Sequence, residues 1–177
     1  MQKVLEREFF DRSPLVVARD LIGKYLVRRV GAKQVAFMIT ETEGYGGWHD
    51  LASHSRSGKT TRNAPMFAEA GTIYVYFTYG MHWMLNLVCG KEGYPAAVLI
   101  RGVASASWRI SGPARLTKAM GINKDLNGKT LGKQSGLWVE DRGVKISSRK
   151  IKRTPRIGIA YAGEWAHKPW RFVLEPN

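Results

Sequence analysis

Two runs of alternating residues, TIYVYFTYG at 72–80 and HWMLNLVC at 82–89, constrain this chain more than any other feature. Successive side chains point to opposite faces of a strand. Ile73, Val75 and Phe77 therefore share one face, and Tyr74, Tyr76 and Thr78 share the other. The second run places Trp83, Leu85, Leu87 and Cys89 on one face and His82, Met84, Asn86 and Val88 on its reverse. Tyr79-Gly80 and the residues beside them suit a tight turn, so the two runs are predicted to pair as an antiparallel hairpin.

The segments around the hairpin fit a mixed architecture. DRSPLVVARDLIGKYLV opens a helix, with Ser13 as N-cap, Pro14 at the first helical position and Gly23 at its close. Residues 24–30, 35–42 and 96–103 read as strands, and SGPARLTKAMGI as a helix bracketed by proline and Gly121. Beyond a loop rich in Gly, Lys and Asn, the short segments LWVED, VKISS, RIGIAY and WRFVL read as further strands. The expectation is one α+β domain over residues 1–177, with an antiparallel sheet as its core. A single cysteine, Cys89, excludes an intrachain disulfide and CxxC metal sites. MQKVLEREFF lacks an apolar leader, and no apolar run approaches the ~20 residues of a membrane span. An intracellular protein that does not enter a membrane is expected.

Charge narrows the choice of partner. The net charge is +14, and it is uneven: residues 1–100 carry 12 basic and 9 acidic side chains, residues 101–177 carry 16 and 5. Such a surface suits a polyanion, because neutralised phosphates release counterions.

Within this frame, Glu41 and Glu43 lie two apart on a strand end and so on one face, directly before a glycine-rich turn. Two such carboxylates can divide acid and base roles in glycoside cleavage, or pair with surface lysines. His49-Asp50 is a possible dyad, but no serine or cysteine sits at a nucleophile elbow. The four histidines lack the spacing of a zinc site, so no metal is expected. Tyr74 suits the core. Tyr76 and Tyr79 suit base stacking, and an aromatic at a hairpin tip can wedge between base pairs. Asn86 in an apolar strand must be paired, by structure or by a ligand. Arg101 is either a solvated strand end or a charge brought next to Glu43. TTRNAPMF at 60–67 offers Arg62 and Asn63 to a phosphate.

ITETEGYGG, ASHSR, TTRNAPMF, GTIYVYFTYGMHWMLN, AAVLIRGV, SGPARLTKAMGI and RIGIAYAGEWAHKPWRF occur in an order that resembles the alkyladenine, or 3-methyladenine, DNA glycosylases. The resemblance covers nearly the whole chain and weakens at 124–155. It implies a curved antiparallel sheet with flanking helices and a hairpin inserted toward DNA. It makes Glu43 the general base for the attacking water, held also by Arg101 and the main-chain carbonyl of Ile157. Tyr45, His54 and Tyr76 would sandwich and hydrogen-bond the extruded base, and Asn86 would reject the guanine 2-amino group. Tyr79 would intercalate, and Arg62, Asn63 and Met66 would contact DNA. Glu41 has no catalytic counterpart, and Ser53 stands where many relatives carry alanine. The implied activity is hydrolysis of the N-glycosidic bond of an alkylated or deaminated purine in double-stranded DNA. The implied protein needs no cofactor, cleaves no strand, works as a monomer and is DNA-associated in the cell. A non-catalytic nucleic-acid-binding module and a two-glutamate sugar hydrolase are the rival readings.

Overall fold

The alternating runs form the hairpin that their spacing predicts. The structure is a computed structural model that describes residues 2–175, so the outermost residues of the domain expected over 1–177 lie outside the description. In chain order the elements are β1 (Lys3–Val4), α1 (Arg7–Phe10), α2 (Pro14–Asp20), β2 (Tyr25–Val30), β3 (Lys33–Gly46), β4 (Ile73–Thr78), β5 (His82–Val88), β6 (Ala96–Ala104), β7 (Arg109–Ser111), α3 (Pro113–Ala119), β8 (Leu137–Asp141), β9 (Ile151–Thr154) and β10 (Arg171–Leu174). Short 3₁₀ segments lie at Ala64–Phe67, Lys124–Leu126, Ser148–Lys150 and Ala160–His167. The result is an α+β fold on an open antiparallel sheet, ordered β1-β8-β2-β3-β6-β5-β4, with β7 added beside β6 and β9–β10 beside β3.

β3 is the spine of this sheet. One of its edges pairs with β2 over Lys33–Met38 and then with β10 over Glu41–Glu43, while the other edge pairs with β6. The hairpin β4–β5 runs in register from Ile73↔Leu87 to Thr78↔His82. Its inner end is anchored to β6 only through Asn86–Val88, so its outer half projects beyond the sheet.

The two faces of the hairpin divide as the alternation requires. Ile73, Val75, Leu85, Leu87 and Cys89 enter the main core with Phe10, Leu21, Leu26, Ile39, Ile100 and Leu116. Tyr74 and Val88 enter a second cluster with Met66 and Ala97, and Tyr76 packs against it. Burying an aliphatic or phenyl side chain of this kind stabilises by ~1.5–3 kcal/mol. The alternation stops controlling burial toward the tip, where Phe77 is exposed and rests on the half-buried Trp83 at 4.6 Å between ring centroids.

Two expected strands are absent. VKISS carries no strand; the pairing segment lies later, at β9. RIGIAY turns into the 3₁₀ segment at Ala160–His167. Its alternation imitates a strand, but Pro155 lacks an N–H for a ladder and Gly158 takes φ +77°. The short β1, α1 and β7 lie outside the expected elements; each has at most four residues, too few to show a period.

Candidate active site

The site begins at an irregularity in β3–β6. Ile39 pairs with Val103 and Glu41 with Gly102, which leaves Thr40 as an extra residue on β3; Thr42 then pairs with Ile100, which leaves Arg101 as an extra residue on β6. Bulges of this kind re-aim side chains beside active sites. Here they turn Arg101 toward both carboxylates expected to share a face. Its Nε donates to Glu41 Oε1 at 3.0 Å and lies 3.4 Å from Glu43 Oε1. Arg101 is therefore the charge beside Glu43, and it is buried rather than a solvated strand end.

The two glutamates have different surroundings. Glu41 Oε1 also accepts from Arg171 Nε at 2.7 Å, and its Oε2 from Ser111 Oγ at 3.2 Å. Burial alone would raise the Glu41 carboxyl, but the hydrogen bonds from Arg171 and Arg101 outweigh it and hold the pKa below the ordinary value. Glu43 is fully buried. Its Oε1 accepts the main-chain N–H of Ile157 at 2.8 Å, and its Oε2 accepts the Tyr45 hydroxyl at 2.8 Å. Burial raises its pKa; the charge of Arg101 and the hydrogen bonds from Ile157 and Tyr45 oppose that rise without cancelling it. Ile157, expected through its carbonyl, thus reaches Glu43 through its N–H.

Next to Glu43, which is itself fully buried and not on the wall, opens a cleft of about 460 Å³ whose walls include Tyr45, His54, Tyr76, Asn86, Arg101 and Ile157. The sequence-predicted base-binding residues therefore converge on one space. His54 shares a hydrogen bond between its Nδ1 and the Tyr74 hydroxyl at 3.1 Å and stands edge-on to Tyr76, with ring centroids 4.5 Å apart. The protein crowded around its ring, and then the charges of Arg62 and Arg56, lower the His54 pKa, so this imidazole is neutral at pH 7. Burial, and then Glu43, push Tyr76 up to about 12. Asn86 Nδ2 donates to the carbonyls of Tyr74 at 3.3 Å and Met84 at 3.4 Å, which leaves Oδ1 as the atom this amide can offer the cleft.

Guanidinium groups already lie over three tyrosine rings of the cleft: Arg156 over Tyr45 at 4.6 Å, Arg62 over Tyr76 at 5.5 Å and Arg56 over Tyr161 at 4.9 Å.

The remaining candidates divide. Tyr79 sits at the tip of the hairpin, 81% exposed, with φ +52°; it is the one non-glycine with positive φ among the described residues. Arg62 is exposed at the rim, with Nη2 donating to the Phe77 carbonyl at 2.9 Å. Asn63 and Met66, expected on the DNA surface, are both buried. Asn63 Nδ2 donates to the carbonyls of His54 and Gly58, each at 2.9 Å, and Oδ1 accepts from the Thr60 N–H at 2.6 Å. That side chain shapes the loop carrying His54 and Arg62. Met66 packs behind Tyr74 and reaches the cleft wall.

The His49-Asp50 dyad does not form. His49 is exposed, while Asp50 binds Arg156 in a two-pronged ion pair at 2.6 and 2.8 Å, with both side chains fully buried. This pair fixes the residue immediately before Ile157. Sequence reasoning missed it, and also missed Tyr161, whose exposed ring stands on the cleft wall with its hydroxyl donating to the Ala52 carbonyl at 3.3 Å. Arg156 and Tyr161 belong to the segment read as a strand.

Comparison with known proteins places this geometry in a lineage. Residues 8–177 match the family described as methylpurine-DNA glycosylase. Three similar proteins carry the name "Putative 3-methyladenine DNA glycosylase". The one from Methanocella arvoryzae is 48% identical over 185 residues, covering 96% of this chain and 91% of its own. That from Anaeromyxobacter sp. strain Fw109-5 is 44% identical over 177 residues, covering 98% and 90%. That from Legionella pneumophila strain Paris is 41% identical over 180 residues, covering 100% and 97%. Similarity of this depth runs through the strand that carries Glu43, the projecting hairpin and the segment that closes on both, and it makes this chain a member of the methylpurine-DNA glycosylase family, DNA glycosylases of methylated purines.

Proposed function

We propose that the protein extrudes a damaged purine nucleotide from double-stranded DNA into the tyrosine-lined cleft and hydrolyses its N-glycosidic bond with water activated by Glu43. The observation that carries this reading is the buried Glu43 carboxylate, held by the Ile157 N–H and the Tyr45 hydroxyl beside Arg101, three residues that line the cleft. A carboxylate has about four acceptor directions, and the Ile157 N–H and the Tyr45 hydroxyl take two of them, which leaves two for a water. Burial keeps the carboxylate basic, as a general base requires.

In the step itself, the C1′–N9 bond breaks and the purine leaves with the bonding electrons, a cationic alkylated base as a neutral molecule and a neutral base such as hypoxanthine as an anion that takes up a proton from solvent. Water oxygen bonds to C1′ of the oxocarbenium-like sugar, and Glu43 takes the water proton. Arg101 and the Ile157 main chain hold the water; the Ile157 carbonyl is free of the N–H role and available as its acceptor. The lining of the cleft presents Arg62 and Arg101 as its cations and no lysine, which favours hydrolysis over an amine-linked intermediate with strand cleavage. Tyr45, His54 and Tyr76 stack on and hydrogen-bond the base, with Asn86 at its edge. Tyr79 fills the gap left in the duplex, and Arg62 grips a phosphate. The substrates are alkylated and deaminated purines of the 3-methyladenine, ethenoadenine and hypoxanthine type.

The test uses duplex oligonucleotides with a central hypoxanthine, 1,N6-ethenoadenine or 3-methyladenine-type lesion, each sample divided into parts with and without hot alkali. Breaks only after alkali are expected, and Glu43→Gln should lower single-turnover excision about 100- to 10,000-fold while lesion DNA still binds. Near wild-type excision by Glu43→Gln would remove the base assignment, and tight binding without excision of any lesion would favour a non-catalytic module.

A further inference from the structure

Glu41 is the carboxylate that the proposed reaction leaves without a task, yet it is more densely bonded than Glu43. Two arginines from different strands, Arg101 on β6 and Arg171 on β10, both place Nε on its Oε1, at 3.0 and 2.7 Å. The backbone is shaped for this contact. Glu41 pairs with Gly102, where an added Cβ would stand 2.9 Å from the Glu41 Cβ and 3.3 Å from the Ile110 carbonyl oxygen. Only a residue without a side chain lets Glu41 lie across β6 to meet Arg101.

The consequence falls on Glu43. Glu41 and Glu43 face Arg101 and Arg171 in a set of two anions and two cations. The other groups around Glu43 are the Tyr45 hydroxyl from β3, the Ile157 N–H, and Tyr76 from β4. The Asp50–Arg156 pair lies behind the Tyr45 ring, and neutral His54 lies across the cleft. Every nearby cation but Arg156 is thus shared with Glu41. Its bond to Arg101 Nε also commits the one guanidinium nitrogen nearest Glu43, so the two terminal nitrogens are those left for the cleft.

We propose that Glu41 is a positioning residue for the reaction: it directs Arg101 and, by neutralising half of the cationic charge beside Glu43, keeps Glu43 basic enough to deprotonate water. The proposal rests on Glu43 being the general base. Without Glu41 the arginines would bind Glu43 more strongly, making a carboxylate that ionises readily and accepts a proton poorly.

Single-turnover excision of hypoxanthine across pH tests it, because an orienting scaffold alone would change the rate without moving the titration. Glu41→Gln should move the acid limb to lower pH by about one unit and lower the plateau about tenfold. Arg171→Gln removes a cation and should move the limb to higher pH. Glu41→Asp, which keeps the charge, should leave the limb near its wild-type position. If Glu41→Gln does not fold, the Arg171→Gln shift carries the test alone. An unmoved limb in both variants, with Glu43→Gln inactive, overturns the role of Glu41 and leaves Glu43 as base. Activity retained by Glu43→Gln overturns the base assignment and the proposal with it.

Discussion

Asp50 and Arg156 offer the sharpest test of how the site is held. Both side chains are fully buried, and the pair is two-pronged at 2.6 and 2.8 Å. Asp50 further accepts the N–H groups of Gly46 at 3.2 Å and Ala52 at 3.0 Å, while Arg156 Nη1 donates to the Gly44 carbonyl at 2.9 Å. Asp50→Ala would strand a buried guanidinium, which costs about 3–5 kcal/mol. It would also deprive two backbone donors of their acceptor, each worth about 1–3 kcal/mol before water enters the void. Arg156→Met should cost about as much, by stranding the carboxylate. The double variant strands neither charge, so its loss should be close to that of one single variant, a coupling of about 3 kcal/mol. Urea unfolding of the four proteins, with slopes compared to confirm a common two-state transition, measures this directly. Singles that cost less than about 1 kcal/mol, or that simply add in the double, would refute the argument. Function supplies a second readout. Ile157 follows Arg156 and donates its N–H to Glu43 at 2.8 Å, so Arg156→Met should also slow excision ~10- to 100-fold through misplacement of the base.

Three further outcomes follow from the same structure. Tyr79 holds φ +52°, a left-handed conformation that costs a bulky residue about 1 kcal/mol, so Tyr79→Gly should raise stability by about that amount while abolishing the fluorescence rise of 2-aminopurine beside the lesion; a stabilised variant with an unchanged signal would separate Tyr79 from nucleotide extrusion. Arg62→Ala should reduce the slope of log affinity against log salt by about 0.9, whereas Asn63→Ala should destabilise the His54 loop and leave the slope unchanged; equal slopes in the two variants would show that Arg62 meets no phosphate. Glu41 is held below its ordinary carboxylate pKa by Arg171 and Arg101 despite burial, so its contribution is complete above the unfolded-state value and is lost as pH falls through its lowered folded value; between about pH 5 and 3 wild-type stability should fall more steeply than that of Glu41→Gln.

Much of the fold is written in local pattern. The strands β4, β5, β6 and β8 alternate or run apolar between glycines, and α2 and α3 each begin at a proline. Those signals act over a few residues, so a single sequence displays them. The segment after Pro155 obeys a different rule. Its Arg-Ile-Gly-Ile alternation is that of a strand, but its path is set by bonds from Arg156 to Asp50, 106 positions away, and from Ile157 to Glu43, 114 positions away. No local period encodes such partners. The role of Asn63 is hidden for a related reason: its polar side chain looks suited to a surface phosphate, and only the three-dimensional loop shows that carbonyls of His54 and Gly58 take up its donors.

The Glu43 carboxylate and the hairpin tip are each kept in a state that their own residues disfavour. Glu43 is ionisable and fully buried, and Tyr79 is a bulky side chain with positive φ. Local preference would relieve both, by exposing the one and unwinding the other. What prevents relief is pairing on either side: β6 and β10 clamp β3 at Glu43, and the ladder from Ile73↔Leu87 to Thr78↔His82 closes the turn at Tyr79. The two points are linked through β5, which pairs with β4 along the hairpin and with β6 at Asn86↔Leu99, while Leu99 itself pairs with Glu43. One continuous set of strands therefore fixes the distance between Tyr79 and Glu43. In the proposed reaction, a duplex pressed against the hairpin meets Tyr79 and Glu43 on one set of paired strands, and the nucleotide is the part that moves.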